Sequence, residues 1–239
     1  MADRYFVQDP IPFGGTTERK LFLAGQEAHH LIHVMRVRPG VDVTLFDGSG
    51  AEFSARVERV DRREVELVVL SRQQIDRELP LEVTLAVALP KGDRQRWLIE
   101  KATELGITRV VPIKTDRSVA QPVPRVLARL RRTVIEASKQ SGRNRLMDIT
   151  PSQDWADFVN ENTDVPCRLL AHQGDESRDF DPSMVGDASR AILAVGPEGG
   201  FTDEEVSTAT AAGWQPIDLG PRILRIETAA VLLTAMVAI

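Results

Sequence analysis

One cysteine, Cys167, and one tyrosine occur in 239 residues, and aromatic residues make up only 5% of the chain. A lone thiol excludes a disulfide framework, so a reducing compartment is expected. No apolar run approaches the roughly 18 residues of a membrane-spanning helix. The opening Met-Ala-Asp-Arg-Tyr-Phe lacks the apolar core of a secretory signal. A cytoplasmic protein without membrane segments is therefore the expectation. Histidine is scarce too. His29 and His33 are spaced to share one face of a helix, but no third ligand accompanies them, and a metal site is not predicted. Cys167 lies in an apolar strand with no histidine partner and reads as a buried structural thiol.

The net charge of −5 argues mildly against a polyanionic partner, but its distribution does not. Residues 1–75 carry 10 Lys/Arg against 11 Asp/Glu, residues 76–150 carry 15 against 9, and residues 151–239 carry 5 against 15. A basic middle beside an acidic last third is compatible with a nucleic-acid face and equally with a solvated surface.

Hydrophobic residues at 42% and charged residues at 27% are ordinary for a globular protein with a sizeable core. Residues 20–23 read as a short strand. A single helix is predicted over 25–35, with Ala28, Leu31, Ile32 and Met35 on its apolar face. Strands follow over 42–46, 52–60 and 64–70, joined by tight turns such as Asp47-Gly48, and their alternation predicts a small antiparallel barrel or sheet. Residues 71–80 are polar, end in proline, and read as a linker. From Leu81 strands alternate with helices. Asp93 is the expected cap of a helix stopped by Gly106, a long helix covers 123–140, and Ser152 is the expected cap of a helix through Glu161. Such alternation predicts an α/β domain with a largely parallel sheet, and the domains are expected at 1–73 and 74–239.

The most informative stretch is 191–205. A wholly apolar run, Ala191-Ile192-Leu193-Ala194-Val195, breaks at Gly196-Pro197-Glu198-Gly199-Gly200 and enters a helix with Thr202 and Glu205 spaced as a capping box. Strand, glycine loop and helix form the layout in which α/β proteins bind ligands beyond a strand's carboxyl end. The loop lacks the third glycine of the dinucleotide fingerprint and the Gly-Lys-Ser/Thr of a triphosphate loop. Proline removes a donor and Glu198 repels phosphate, so a neutral or cationic ligand suits it better; a purely structural turn is the alternative. A second unit, Leu219-Gly220-Pro221-Arg222-Ile223-Leu224-Arg225-Ile226-Glu227-Thr228, places two arginines between a buried strand and an apolar last helix. A cationic loop, Lys139-Gln140-Ser141-Gly142-Arg143-Asn144-Arg145, ends the long helix and suits phosphate contacts, or a solvated helix end.

These motifs resemble those of the bacterial RsmE-type ribosomal RNA methyltransferases of the SPOUT superfamily. In the first domain the match rests on His30-Leu31-Ile32-His33-Val34-Met35-Arg36 and Leu45-Phe46-Asp47-Gly48. In the second it rests on Glu100-Lys101-Ala102-Thr103-Glu104-Leu105-Gly106, on Glu136 to Arg143, and above all on the 196–201 and 219–229 stretches. Ile226 departs from the family, which more often has threonine there. The resemblance implies an N-terminal PUA-like β-barrel, a SPOUT-type α/β domain whose C-terminus is threaded as a trefoil knot, and a homodimer. It also implies S-adenosylmethionine as methyl donor and N3 of uracil-1498 in 16S rRNA as acceptor, within the small ribosomal subunit.

By the same resemblance, the donor pocket is expected from Leu170, Ala171, His172, Gly196, Pro197, Glu198, Gly199, Gly200, Leu219, Gly220, Ile223, Leu224 and Thr228. Arg225, with Arg222 near it, is expected to stabilise the uracil anion, and Glu227 to accept a proton or only to favour the helix start. RNA contacts are expected at Arg4, Arg36, Lys91, Lys139, Gln140, Ser141, Gly142, Arg143 and Arg145. A non-catalytic RNA-binding module of the same fold is the competing expectation, separated by whether the chain binds the donor. An NAD-type oxidoreductase is disfavoured by the missing fingerprint.

Overall fold

Chain contacts divide the protein into two units, Met1–Glu78 with Ser138–Leu146, and Leu79–Ala137 with Met147–Ile239. The computed structural model describes residues 4–11, 13, 20–118 and 123–238. The first three residues of the opening hexapeptide and the last residue of the apolar C-terminal run lie outside them.

The first unit holds β1 (Arg4–Phe6), β2 (Lys20–Ala24), α1 (Gly25–His29), β3 (Asp42–Phe46), β4 (Ala51–Val60) and β5 (Glu64–Gln74). They form one sheet in the order β1-β3-β4-β5-β2, antiparallel except where β1 joins β3. Two register shifts in the β4–β5 ladder, at Ser54/Ala55 and Val57/Arg59, mark bulges that sharpen the local twist. The inward residues Val43, Leu45, Phe53, Ala55, Val57, Val65 and Leu67 are buried around Tyr5, as the alternation predicted.

Two expectations for this unit need correction. The helix over 25–35 is one α turn followed by a π-helical turn, His30–Val34, so Met35 is exposed instead of facing the core. The linker begins later than polarity suggested, because Ser71, Arg72, Gln73 and Gln74 pair with Ser54, Phe53, Glu52 and Ala51. Polar side chains are compatible with a strand whose backbone has a partner.

The second unit contains β6 (Glu82–Val87), α2 (Asp93–Glu104), β7 (Arg109–Lys114), α3 (Pro124–Ser141, its end counted with the first unit), β8 (Asp148–Ile149), β9 (Gln153–Asp154) and α4 (Trp155–Glu161). It continues with β10 (Cys167–Ala171), β11 (Arg178–Asp179), β12 (Arg190–Val195), α5 (Asp203–Ala211), β13 (Gln215–Asp218) and α6 (Ile226–Ala238). The strands lie in the order β11-β13-β10-β12-β6-β7-β8, and these pairings are all parallel. The central strand β12 is buried from Ala191 to Val195, which is why its sequence runs apolar without alternation.

Two caps differ from expectation. Gly92, at φ 68°, occupies the cap position of α2 and Asp93 is its first residue, where the carboxylate still favours the helix dipole. Ser152 caps nothing, because Gln153 and Asp154 pair with Ile113 and Lys114 and the helix starts at Trp155. The predicted box on α5 is present: Glu205 N–H donates to Thr202 Oγ1 (3.2 Å) and Thr202 N–H to Glu205 Oε2 (2.8 Å).

Cys167 is 1% exposed, and burial pushes its thiol from 9.0 up to about 11. The unfolded chain ionises this thiol first, so the folded state binds more protons between pH 9 and 11 and stability falls as pH rises through that window. The expected loss between pH 8 and 10.5 is roughly 2 kcal/mol, absent in Cys167→Ser. Denaturant unfolding of both proteins at pH 8 and 10.5 measures it; parallel losses would refute the assignment.

Candidate functional site

Three parallel strands end side by side on one edge of the second unit's sheet. His172 follows β10, Gly196–Gly200 follows β12, and 219–225 follows β13. His172 N–H donates to Ile217 O at 3.0 Å, carrying the β10–β13 pairing one residue past the strand. Gln173 Nε2 donates to Gly220 O at 2.6 Å, tying two of the loops together. Between them lies a cavity of about 410 Å³, within the range of small-molecule sites.

Its glycine wall is shaped by close approach. A Cβ on Gly196 would lie 2.9 Å from Cδ2 and 3.2 Å from the backbone N of Phe201, whose ring is buried. Gly200 has φ +70° and donates to Pro197 O at 2.8 Å, closing a turn. Gly220 N–H is taken by Asp218 Oδ1 at 2.9 Å, and in the first turn of α5 the capping box takes the Glu205 N–H. Glu198 and Asp203 line the cavity with carboxylates, and Arg117 and Arg222 line it with cations. A lining with both signs of charge suits a ligand that carries positive and negative groups on an apolar body. Behind it, Trp155 packs 4.8 Å from Phe201 and 5.2 Å from Trp214, and its indole N–H donates to Glu205 O, so an aromatic cluster fixes the loop from the core side.

Of the expected pocket residues, Ala171, His172, Gly196, Pro197, Glu198, Gly199, Gly200, Leu219, Gly220, Ile223 and Leu224 line this cavity, as does Arg222. Leu170 is fully buried within β10, and Thr228, Arg225 and Glu227 stand outside the lining. Two arginines missed in the sequence converge on the loop from beyond the neighbouring strands. Arg117, after β7, donates to Gly199 O at 2.7 Å. Arg94, in the first turn of α2, donates to Glu198 Oε1 at 3.4 Å and lies 3.8 Å from Glu227 Oε2. Their positions just past strand ends, the rule that singled out the glycine loop, were the available signal.

In the first unit the cationic loop is largely committed. Arg143 is 3% exposed and grips Glu78 through Nε (3.2 Å) and Nη2. Arg4 pairs with Glu52, donates to Asn144 Oδ1 at 2.7 Å and lies 5.0 Å over the Phe46 ring. Burial opposes ionisation of Glu52, but the bonds from Arg77 and Arg4 outweigh it and hold its carboxyl below the usual range. Lys139 pairs with Glu27 at 3.1 Å. Ser141 and Gly142 are half-buried at the helix end, whereas Gln140, Arg145 and Arg36 are exposed; so is Lys91 in the second unit.

Among the described residues, no helix is long and apolar enough to cross a membrane, and no group of three His, Cys, Asp or Glu is placed to hold a metal ion. The His29 and His33 rings lie 4.6 Å apart, tilted by 50°.

Residues 77–238 match the family described as RNA methyltransferase domain, and residues 23–70 the RNA methyltransferase PUA domain. The chain is 35% identical over 217 residues to the ribosomal RNA small subunit methyltransferase E of Synechocystis sp., covering 89% of this chain and 70% of that protein. It superposes with TM-score 0.87 on a Legionella pneumophila structure assigned as a methyltransferase with the bound cofactor SAM, at 30% identity over 99% and 97% of the two chains. A ribosomal RNA small subunit methyltransferase E from Neisseria gonorrhoeae, bound to S-adenosyl methionine, gives TM-score 0.85 at 29% identity over 98% and 96%.

Proposed function

The chain belongs to the ribosomal RNA small subunit methyltransferase E family, and on that premise we propose that it methylates N3 of a uracil in 16S rRNA, the base numbered 1498, using S-adenosylmethionine. The observation that carries this is the glycine wall: a strand-end loop with no room for a Cβ at Gly196, closed by the Gly200 N–H to Pro197 O bond and presenting Glu198 to the cavity. When bound, S-adenosylmethionine supplies an electrophilic methyl, the electron pair of the broken C–S bond staying on sulfur, while uracil N3 loses its proton and forms the new N–C bond. The backbone around Gly196, Gly220 and Leu224 holds the donor, and Glu198 and Asp203 favour its positive charge. Arg225, just before α6 and outside the donor cavity, stabilises the uracil anion, assisted by Arg222 from the cavity lining. Exposed Arg36, Lys91 and Arg145 meet the RNA backbone.

The same proposal includes a threaded C-terminus, a homodimer and a cytoplasmic setting, where ribosomal RNA is made. From β12 the chain runs beyond β10 to form β13, and α6 then returns against β12, β6 and α2, a path that supports a knot. Val231, Leu232, Ala235 and Met236 leave a half-exposed apolar stripe on α6, which supports a partner copy.

The test is to incubate the protein with labelled donor and either naked 16S rRNA or small subunits, then map the modified nucleotide. Label on a uracil N3 is expected; donor bound by calorimetry without label in RNA would indicate a non-catalytic module. Gly196→Ala is expected to weaken donor binding about 5- to 150-fold, since overpacking of this kind costs about 1–3 kcal/mol. Titration calorimetry reads it, and donor affinity within twofold of the parent would remove the loop from the pocket.

A further inference from the structure

Glu227 presents an anomaly that donor binding does not absorb. Its side chain is 9% exposed, and its Oε2 is buried without a hydrogen-bond partner. The nearest cation is Arg94, whose Nη1 lies 3.8 Å away, an ion-pair contact longer than a hydrogen bond. The start of α6 favours a carboxylate electrostatically. Even so, a buried and incompletely paired charge is destabilising relative to an apolar residue. Arg94 is in the opposite situation. Its side chain is 38% exposed and its second nitrogen reaches Glu198, itself 48% exposed. The Arg94–Glu198 pair alone is a surface ion pair worth little. Glu227 beneath it converts the pair into a held guanidinium: Arg94, in the first turn of α2, is gripped from the glycine loop and from the start of α6.

Arg94 does not line the donor cavity, although its partner Glu198 does. It therefore stands beside the cavity wall, against Glu198. We propose that Arg94 is a catalytic residue of the acceptor side, its guanidinium meeting a carbonyl oxygen of the uracil, and that Glu227 is the positioning residue that holds it there. This rests on the function proposed above. Deprotonated at N3, uracil is a planar imide anion with its charge shared over two carbonyl oxygens, which a planar guanidinium fork matches and a lysine ammonium matches less well. Glu227 then serves not as the proton acceptor but as the anchor beneath Arg94, since the oxygen facing the guanidinium has no solvent access. The N3 proton leaves to solvent.

The experiment compares Arg94→Ala, Arg94→Lys and Glu227→Gln with the parent, using small subunits and labelled donor. It measures kcat as a function of pH, KM for RNA, and donor Kd by calorimetry. Arg94→Ala is expected to lower kcat by about 10²-fold, with donor Kd within about twofold. Its rate should rise with pH over a range displaced upward, because the anion has lost its stabilising charge. Arg94→Lys should recover part of the rate. Glu227→Gln should fall between, and the double variant should be no slower than Arg94→Ala alone, as expected when one residue acts through the other. Parental kcat and pH profile in Arg94→Ala would overturn the assignment, as would equal losses in kcat and donor affinity, which would make Arg94 a brace for the glycine loop. If Arg94→Ala fails to fold, the Lys and Gln variants decide by the same readouts. A parent that transfers no label to uracil N3 overturns the function itself; an active parent with indifferent variants overturns only this inference.

Discussion

Arg143→Ala is expected to destabilise the first unit by about 3–5 kcal/mol and to leave much of the chain unfolded at 37 °C. The loss is the usual consequence of breaking a buried ion pair by removing one partner, and it is a large share of the roughly 5–15 kcal/mol that holds a domain together. The guanidinium is 3% exposed and makes a two-pronged bond to Glu78, whose side chain is 18% exposed. Removing it strands that carboxylate. The adjacent Arg4–Glu52–Arg77 network would be disturbed as well, because Arg4 donates to Arg143 O at 3.3 Å and Arg77 to Gly142 O at 2.8 Å. Arg143→Lys keeps the charge but not the fork, and an intermediate loss is expected. Arg145→Ala, two residues on and exposed, should change stability by less than about 0.5 kcal/mol. Its effect belongs instead in the salt dependence of RNA binding, where each lost phosphate contact flattens the slope by about 0.7–0.9. Denaturant unfolding and RNA binding at two salt concentrations separate the pair. An Arg143→Ala protein with parental stability and a flattened salt slope would reverse the two roles.

Arg143 and Arg145 mark the limit of what was legible beforehand. In sequence they are two equivalent cations in one loop, and only the position of Glu78, 65 residues away, separates them. Burial of a charge depends on such distant partners, so local composition cannot reveal it. The parallel sheet was legible because its central strand declares itself by an unbroken apolar run, β12 from Ala191 to Val195. The capping box of α5 was legible because it is local, spanning only Thr202 to Glu205. Where a local rule competed with a pairing it failed: Ser152 yielded to the two-residue ladder beside β7, and the polar start of the linker yielded to the end of β5. The π turn at His30–Val34 was hidden because its apolar spacing still fits an α-helix over so short a stretch. At the site, the loops that follow β10, β12 and β13 were found by residue type. Arg94 and Arg117 were not, since an arginine in a helix's first turn or after a strand is usually only solvated, and their link to the glycine loop crosses more than 80 residues of chain.

Arg225→Ala is expected to lower kcat by about 10²- to 10³-fold, the usual effect of removing one preorganised donor from a developing anion, while donor affinity stays within about twofold. The two effects separate because of where the loop places its arginines. Arg222 lines the cavity, so Arg222→Ala should weaken donor binding as well as turnover. Arg225 is exposed outside that lining and makes no ion pair among the described residues, so its charge is available to an acceptor. Its backbone is nevertheless fixed: Ala229 N–H donates to Arg225 O at 2.9 Å, so the residue just before α6 accepts a bond from its first turn. Alanine preserves that bond, so the helix and the neighbouring Glu227 should remain in place and the loss should be one of charge alone. Arg225→Lys should return part of the rate, limited by an ammonium that cannot span two acceptor atoms. Single-turnover transfer to small subunits at saturating donor, with donor affinity measured separately by calorimetry, gives both quantities. A parental rate in Arg225→Ala would leave Arg94 and Arg222 to carry the anion. A loss confined to donor Kd would place Arg225 in the cavity wall with Arg222.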